Sequence, residues 1–325
     1  MSIRACALCV LLCAALALSG CGKKEEAVFT DPLPSAEDRT DATPEMPGLS
    51  GGAERVSFST DSSPVGVSSD EQPSQPEILH FVDVFGEEYE TEIDPEIPKH
   101  PYDLSLFQRD GQLLSYTDEN FQSCSGIDVS HHQEKIDWEK VASQGFTFAI
   151  LRIGFRGYGT EGNLGEDRQF KNNLEGARAA GLKTGVYFFA QAVNEDEARE
   201  EAAFVLELLN GEELDLPVVY DPESILDAPA RTDNVTREQF TANSAAFCEI
   251  IREAGYEPMI YANMLWEAFE LDLNKLQGIP IWYADYEPLP QTPYDFRIWQ
   301  YSNEGQVDGV SGSCDLDILF QTRER

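Results

Sequence analysis

Positive charge is what this chain has least of. Its 325 residues carry 23 Lys and Arg against 59 Asp and Glu, a formal net charge of −36. A nucleic-acid partner requires a basic face, so that class of function is excluded. Histidine is scarce too, four in all, and the adjacent His131 and His132 have no partner at metal-ligand spacing. No metal and no cofactor are expected. Gly157 and Gly159 are not framed by a strand and a helix, which rules out a phosphate loop there.

Cysteine is sparse where it matters. Of seven, Cys6, Cys9 and Cys13 lie in the apolar stretch Ala5–Leu18. That stretch follows Arg4 and is too short to span a bilayer, so it reads as a secretory signal. The ending Leu18-Ser19-Gly20-Cys21 resembles a bacterial lipobox, which implies cleavage before Cys21 and lipid attachment to it. Cys124, Cys248 and Cys314 remain, enough for one disulfide. Cys124 with Cys314 is the pair to test, because a helical Cys248 is more simply a small buried hydrophobe.

Residues 22–76 are rich in Glu, Asp, Ser, Pro and Gly with no steady periodicity, and read as a disordered acidic tether. Residues 77–122 read as a small β-rich extension. Phe81–Phe85, Gly86 and Tyr89–Ile93 suggest two strands about a turn, and Asp110-Gly111 followed by Leu113, Leu114 and Tyr116 suggests another. From Ser123 to the end, strand and helix signals alternate. Asp137, Asn194 and Thr236 stand at helix starts, and Gly145 and Gly181 at helix stops. Phe146–Arg152, Leu182–Phe189, Leu214–Tyr220, Pro258–Tyr261, Ile279–Ala284 and Phe296–Tyr301 read as buried strands. The alternation predicts a parallel α/β barrel with a thinning outer ring of helices.

Chemistry concentrates at the strand ends. Asp221-Pro222-Glu223 closes the run Leu214–Tyr220, and residues two apart on a strand project to one side, roughly 6.5 to 7 Å apart at Cα. Neighbouring carboxylates do not ionise together easily, so one is expected to hold a proton near neutral pH, its pKa lifted by the other's charge. Pro222 lacks an N–H, which suits a position where strand pairing ends. Asp128 after Gly126-Ile127 and Asp285 after Ile279–Ala284 stand at equivalent ends. In a β/α barrel such ends converge on one site.

The segments Gly126 to Gln133 with Ile136-Asp137-Trp138, Phe148–Arg152, Asn173 with Ala177 to Leu182, and Gly185-Val186-Tyr187-Phe188 resemble glycoside hydrolase family 25, the muramidase-type lysozymes. So do Pro217 to Glu223, Tyr261-Ala262-Asn263 with Trp266, Ile281 to Tyr286, Trp299-Gln300-Tyr301, Val307 to Val310 and Asp315-Leu316-Asp317. The last motif departs at Asp317, where the family leads one to expect Asn. The resemblance spans residues 123 to 321. It implies a TIM-like flattened barrel of eight strands and about five helices that hydrolyses the β-1,4 bond between N-acetylmuramic acid and N-acetylglucosamine in peptidoglycan.

The family's acidic positions match Asp128, Asp221, Glu223 and Asp285. Glu223 is the expected general acid, and Asp221 is expected to orient an N-acetyl group. Asp128 and Asp285 are expected to hold substrate, water or developing charge. A retaining, acetamide-assisted route and an inverting one both stay open. Tyr187, Tyr261, Trp266 and Tyr283 are the expected sugar platforms, with Tyr286 also near a strand end. The expected protein is a monomer held by lipid on the outer face of the cell membrane, with peptidoglycan strands as its partner. A non-catalytic wall-binding clamp and a hydrolase of chitin-like chains are the competing readings.

Overall fold

The computed structural model describes residues 76–226 and 228–323. The signal stretch, the lipobox cysteine Cys21 and nearly all of the acidic tether lie outside the described residues.

The extension begins with the hairpin β1 (Ile78–Val82) and β2 (Glu88–Glu92), followed by the hairpin β3 (Phe107–Asp110) and β4 (Leu113–Tyr116). Gly111 turns the second hairpin at φ 60°, a conformation that suits a residue without Cβ. Both turns fall where Gly86 and Asp110-Gly111 predict them.

Eight strands then close a barrel: β5 (Phe121–Val129), β6 (Phe148–Arg156), β8 (Lys183–Ala190), β9 (Val218–Pro222), β10 (Pro258–Asn263), β11 (Ile281–Ala284), β12 (Ile298–Gly305) and β13 (Cys314–Thr322). A short β7 (Leu164–Glu166) pairs with the outer end of β6. The TIM-like barrel expected from the sequence is therefore present, with one difference in its closure. β13 runs antiparallel to both β12 and β5. The reason is length: the connection from Gly305 to Cys314 is too short for the crossover that parallel neighbours need, usually a helix.

Helices cover only part of the barrel. They are α1 (Trp138–Ser143), α2 (Phe170–Ala179), α3 (Glu195–Leu209) and α4 (Arg237–Glu253), with a π-helical turn at Trp266–Glu270. Asp137, Asn194 and Thr236 accept the backbone N–H groups of Lys140, Glu197 and Gln239, so each caps the helix its position predicts. The remaining wall, β11 to β13 and β5, is covered by the extension. Tyr102 stacks on Phe320 at 4.0 Å and donates its hydroxyl to the carbonyl of Phe296 at 2.8 Å. Phe107 meets Trp299 edge-on at 5.5 Å. The β1–β2 hairpin is fastened to the barrel rim by Gln291, whose side-chain amide both donates to and accepts from the backbone of Val82 at 2.9 Å.

The barrel interior has its own apolar floor of Phe148, Ile150, Val219, Met259, Trp282, Ile298 and Leu319. Gly126 belongs to this layer by necessity: a Cβ there would sit 2.3 Å from the Phe148 ring. The cysteine pairing anticipated from the sequence does not occur. Cys124, Cys248 and Cys314 are free thiols, and β5–β13 register sets Cys124 opposite Leu319, far along the strand from Cys314.

Candidate active site

Strand register decides which carboxyls meet. Asp315 on β13 stands directly opposite Asp128 on β5, and Asp317 stands opposite both Gly126 and Gln300. Residues directly opposite across a ladder share a face of the sheet. Gly126 faces the Phe148 ring in the barrel interior, so Asp128, Asp315, Asp317 and Gln300 all point inward. Asp221, the penultimate residue of β9, shares this interior with Val219. Glu223 follows immediately after the strand and is half-buried. Four carboxyl groups thus converge at one mouth of the barrel, with that of Asp317 one layer beneath them.

Their hydrogen bonds are few and specific. Gln300 donates its amide to Asp128 at 2.7 Å and accepts from the Tyr261 and Tyr286 hydroxyls at 2.9 and 3.0 Å. The Trp282 indole N–H donates to Asp317 at 2.8 Å. Asp221 has one carboxyl oxygen that is buried without a hydrogen-bond partner.

Burial dominates the electrostatics. It pushes Asp221 well above the usual carboxylate range, and the charges of Glu223, Asp128 and Asp315 push it further, while Arg152 opposes them. Burial also lifts Glu223, to about 7. The sequence led one to expect the charge of Asp221 to lift Glu223. Instead desolvation does so, and the deeper Asp221 feels the charge of Glu223. Asp128 is raised by burial and by the charge of Asp317, while the Gln300 amide opposes the rise. Asp315 is raised by burial and then by Asp128 and Glu223.

Asp285 goes elsewhere. Ala284 is in register with Gln300 and so faces inward, which turns Asp285 and Tyr283 to the outside of the wall. There the Asp285 carboxylate accepts the Tyr283 hydroxyl at 2.7 Å, the backbone N–H groups of Glu287 and Gln291 at 3.1 and 2.9 Å, and the Gln291 amide. Burial raises its pKa and these donors oppose the rise. Asp285 thus organises the rim loop that holds the β1–β2 hairpin, apart from the carboxyl cluster.

The four expected aromatic platforms divide in the same way. Tyr187 and Tyr261 line the barrel interior, and their environments include Asp128 and Asp221. Tyr283 packs outside against Phe296. Trp266 is buried behind the wall against Phe240, with ring centroids 4.7 Å apart. Tyr286 takes the interior place that Tyr283 was expected to fill.

The sequence reading missed Asp315 as a member of the cluster, although Asp315-Leu316-Asp317 has the same alternate spacing as Asp221 and Glu223. It also gave no role to Arg152. That residue is buried, donates Nε to Asp167 at 2.8 Å and stands in register with Tyr187. Asp167 in turn accepts the backbone N–H of His131 at 3.0 Å, which ties the loop after Asp128 to β6.

Residues 127–310 match the model of the glycosyl hydrolases family 25. The uncharacterized protein YegX of Escherichia coli O157:H7 is 29% identical over 203 residues, which is 61% of this chain and 70% of that one. The autolytic lysozyme of Clostridium acetobutylicum is 27% identical over 193 residues, 59% of this chain and 54% of that one. Among solved structures, a family 25 glycosyl hydrolase from Bacillus anthracis shares the fold. It has a TM-score of 0.51 at 20% identity and covers 65% of this chain and 94% of its own.

Proposed function

Because the chain belongs to glycosyl hydrolase family 25, we propose that it is a peptidoglycan muramidase, cleaving the β-1,4 bond between N-acetylmuramic acid and N-acetylglucosamine. The observation that carries this reading is Glu223. It is half-buried at the barrel mouth, its pKa is lifted to about 7 by desolvation, and it adjoins a deeper acid on the same strand end. Glycosidic cleavage needs an acid that still holds its proton near neutral pH and gives it to the leaving oxygen. Glu223 is that acid. Asp221, inward and with an oxygen lacking a partner, receives the N–H of the substrate's acetamide. Asp128, held by Gln300, and Asp315 opposite it face the charge that develops at the anomeric carbon. Tyr187 and Tyr261 form the walls on which the sugar lies. Asp285 acts through the rim loop.

The test is direct. The purified protein is incubated with peptidoglycan, and the new reducing ends are identified by mass spectrometry. Ends at N-acetylmuramic acid support the proposal. Ends at N-acetylglucosamine, or none, overturn it. The clamp reading loses ground because five desolvated carboxyls are costly and serve nothing in mere binding.

The finer placement rests on sequence. Leu18-Ser19-Gly20-Cys21 supports lipid attachment at Cys21 and an extracytoplasmic, membrane-held enzyme, with residues 22–76 as its tether. Cell fractionation decides this. Wild type should sediment with membranes and Cys21→Ser should not; equal release of both overturns the anchor.

A further inference from the structure

The β8–β9 ladder ends at the pair Ala190 and Pro222. The residue that follows β9, Glu223, needs a partner for its carbonyl, and the backbone of β8 does not supply one. The N–H of Gln191 has left the ladder and donates to Glu201 Oε1 at 3.1 Å. The side chain of Gln191 takes over instead, donating Nε2 to the Glu223 carbonyl at 2.7 Å. Its Oε1 accepts the Thr232 hydroxyl at 2.9 Å. Every polar group of this buried side chain is therefore committed.

The support beneath it is equally fixed. Glu201 is fully buried and receives Arg156 Nε at 2.8 Å. Arg156 also donates to the carbonyls of Gly162 and Glu197 at 2.9 and 3.0 Å. Beyond Glu223 the chain turns outward, and Leu226 is 71% exposed. Glu223 is thus the last residue held before an exposed stretch, and Gln191 is what holds it.

We propose that Gln191 is a positioning residue for the general acid: its side chain prolongs the β8–β9 ladder by one rung and fixes the backbone from which Glu223 projects. The proposal takes the chemical role of Glu223 from the muramidase reading. Thr232 locks the amide orientation, and the Arg156–Glu201 pair locks its backbone. A displacement of about 1 Å at a reacting group can cost about 10² in rate, so one lost rung is enough to be measured.

Gln191→Met keeps length and removes both polar atoms. In protein that melts cooperatively, kcat on peptidoglycan should fall about 10- to 100-fold, with KM within about threefold because the sugar walls are untouched. Thr232→Val leaves the donor in place but frees its orientation, and should move kcat in the same direction by less. A second readout needs no substrate. The midpoint of Glu223, followed by carbon-13 NMR of its carboxyl, should shift in Gln191→Met relative to wild type. Folded Gln191→Met with wild-type kcat and midpoint overturns the proposal, as does a KM rise at unchanged kcat. If Gln191→Met does not fold, Thr232→Val decides, and an unchanged kcat and midpoint there overturn it. Wild type without muramidase activity would sink the functional reading alone, because the NMR midpoint still reports whether Gln191 holds Glu223.

Discussion

The indole N–H of Trp282 donates to Asp317 at 2.8 Å in the floor of the barrel, directly beneath the cluster formed by Asp128 and Asp315. Asp317 is fully buried, and burial, reinforced by Asp315, raises its pKa well above the ordinary carboxylate value. The folded state therefore binds a proton that the unfolded chain releases near pH 4. Stability falls as pH rises above about 4, until the folded group itself ionises. Asp317→Asn removes this dependence while keeping an acceptor for Trp282. Its melting temperature should exceed wild type at pH 7 and approach it at pH 4. A constant difference between the two pH values would contradict the linkage.

Glu223 must be protonated to act, and its raised pKa of about 7 sets where that fails. The pH–rate profile for kcat/KM should fall as pH rises through about 7, as an acid's ionisation requires. Glu223→Gln should lower turnover by about 10² to 10⁴ with the melting temperature at pH 7 held or raised. Near-normal hydrolysis by this variant would remove Glu223 from the mechanism.

Asp285 and Asp315 separate by face of the wall. Asp315→Asn changes the cluster without disturbing the rim loop, so turnover should drop and stability should hold or rise. Asp285→Ala leaves the Tyr283 hydroxyl and two backbone N–H groups without their acceptor. It should cost roughly 2 to 4 kcal/mol of stability. Urea denaturation of both, alongside kcat, checks the division; a catalytic loss in Asp285→Ala at full stability would reverse it.

Gln300 links an acid to two tyrosines. Gln300→Leu strips the donor from Asp128 and the acceptor from Tyr261 and Tyr286. A destabilisation of about 3 kcal/mol is expected, and the apparent pKa of Asp128 should rise further, because that donor lowers it. A variant with unchanged urea midpoint would show that water replaces all three bonds.

The contrast between Glu223 and Asp285 shows what a sequence of this kind reveals. Both close apolar runs, and the runs locate the strands well. Yet strands buried on both faces read as continuous apolar stretches, so the alternation that would reveal facing is lost. In Ile281–Ala284 nothing distinguishes Trp282 from Tyr283, and only register with Gln300 turns Asp285 outward. Where polar residues alternate, as in Asp221-Pro222-Glu223 and Asp315-Leu316-Asp317, facing can be read directly. The first was, and the second offered the same signal. The free cysteines illustrate another limit. Two thiols on paired strands still depend on offset along the ladder, which no spacing in sequence encodes.

The aromatic seam between the extension and the helix-free wall has a consequence for where this molecule can be cut. The family match starts at Ile127, yet Phe296, Phe320 and Trp299 pack against Tyr102, Phe107 and Tyr116 of the extension. The family match is therefore shorter than the unit that packs together. A chain started at Ser123 would keep every carboxyl of the cluster and turn a sheet of rings toward water, and its first encounter would be with another copy of itself.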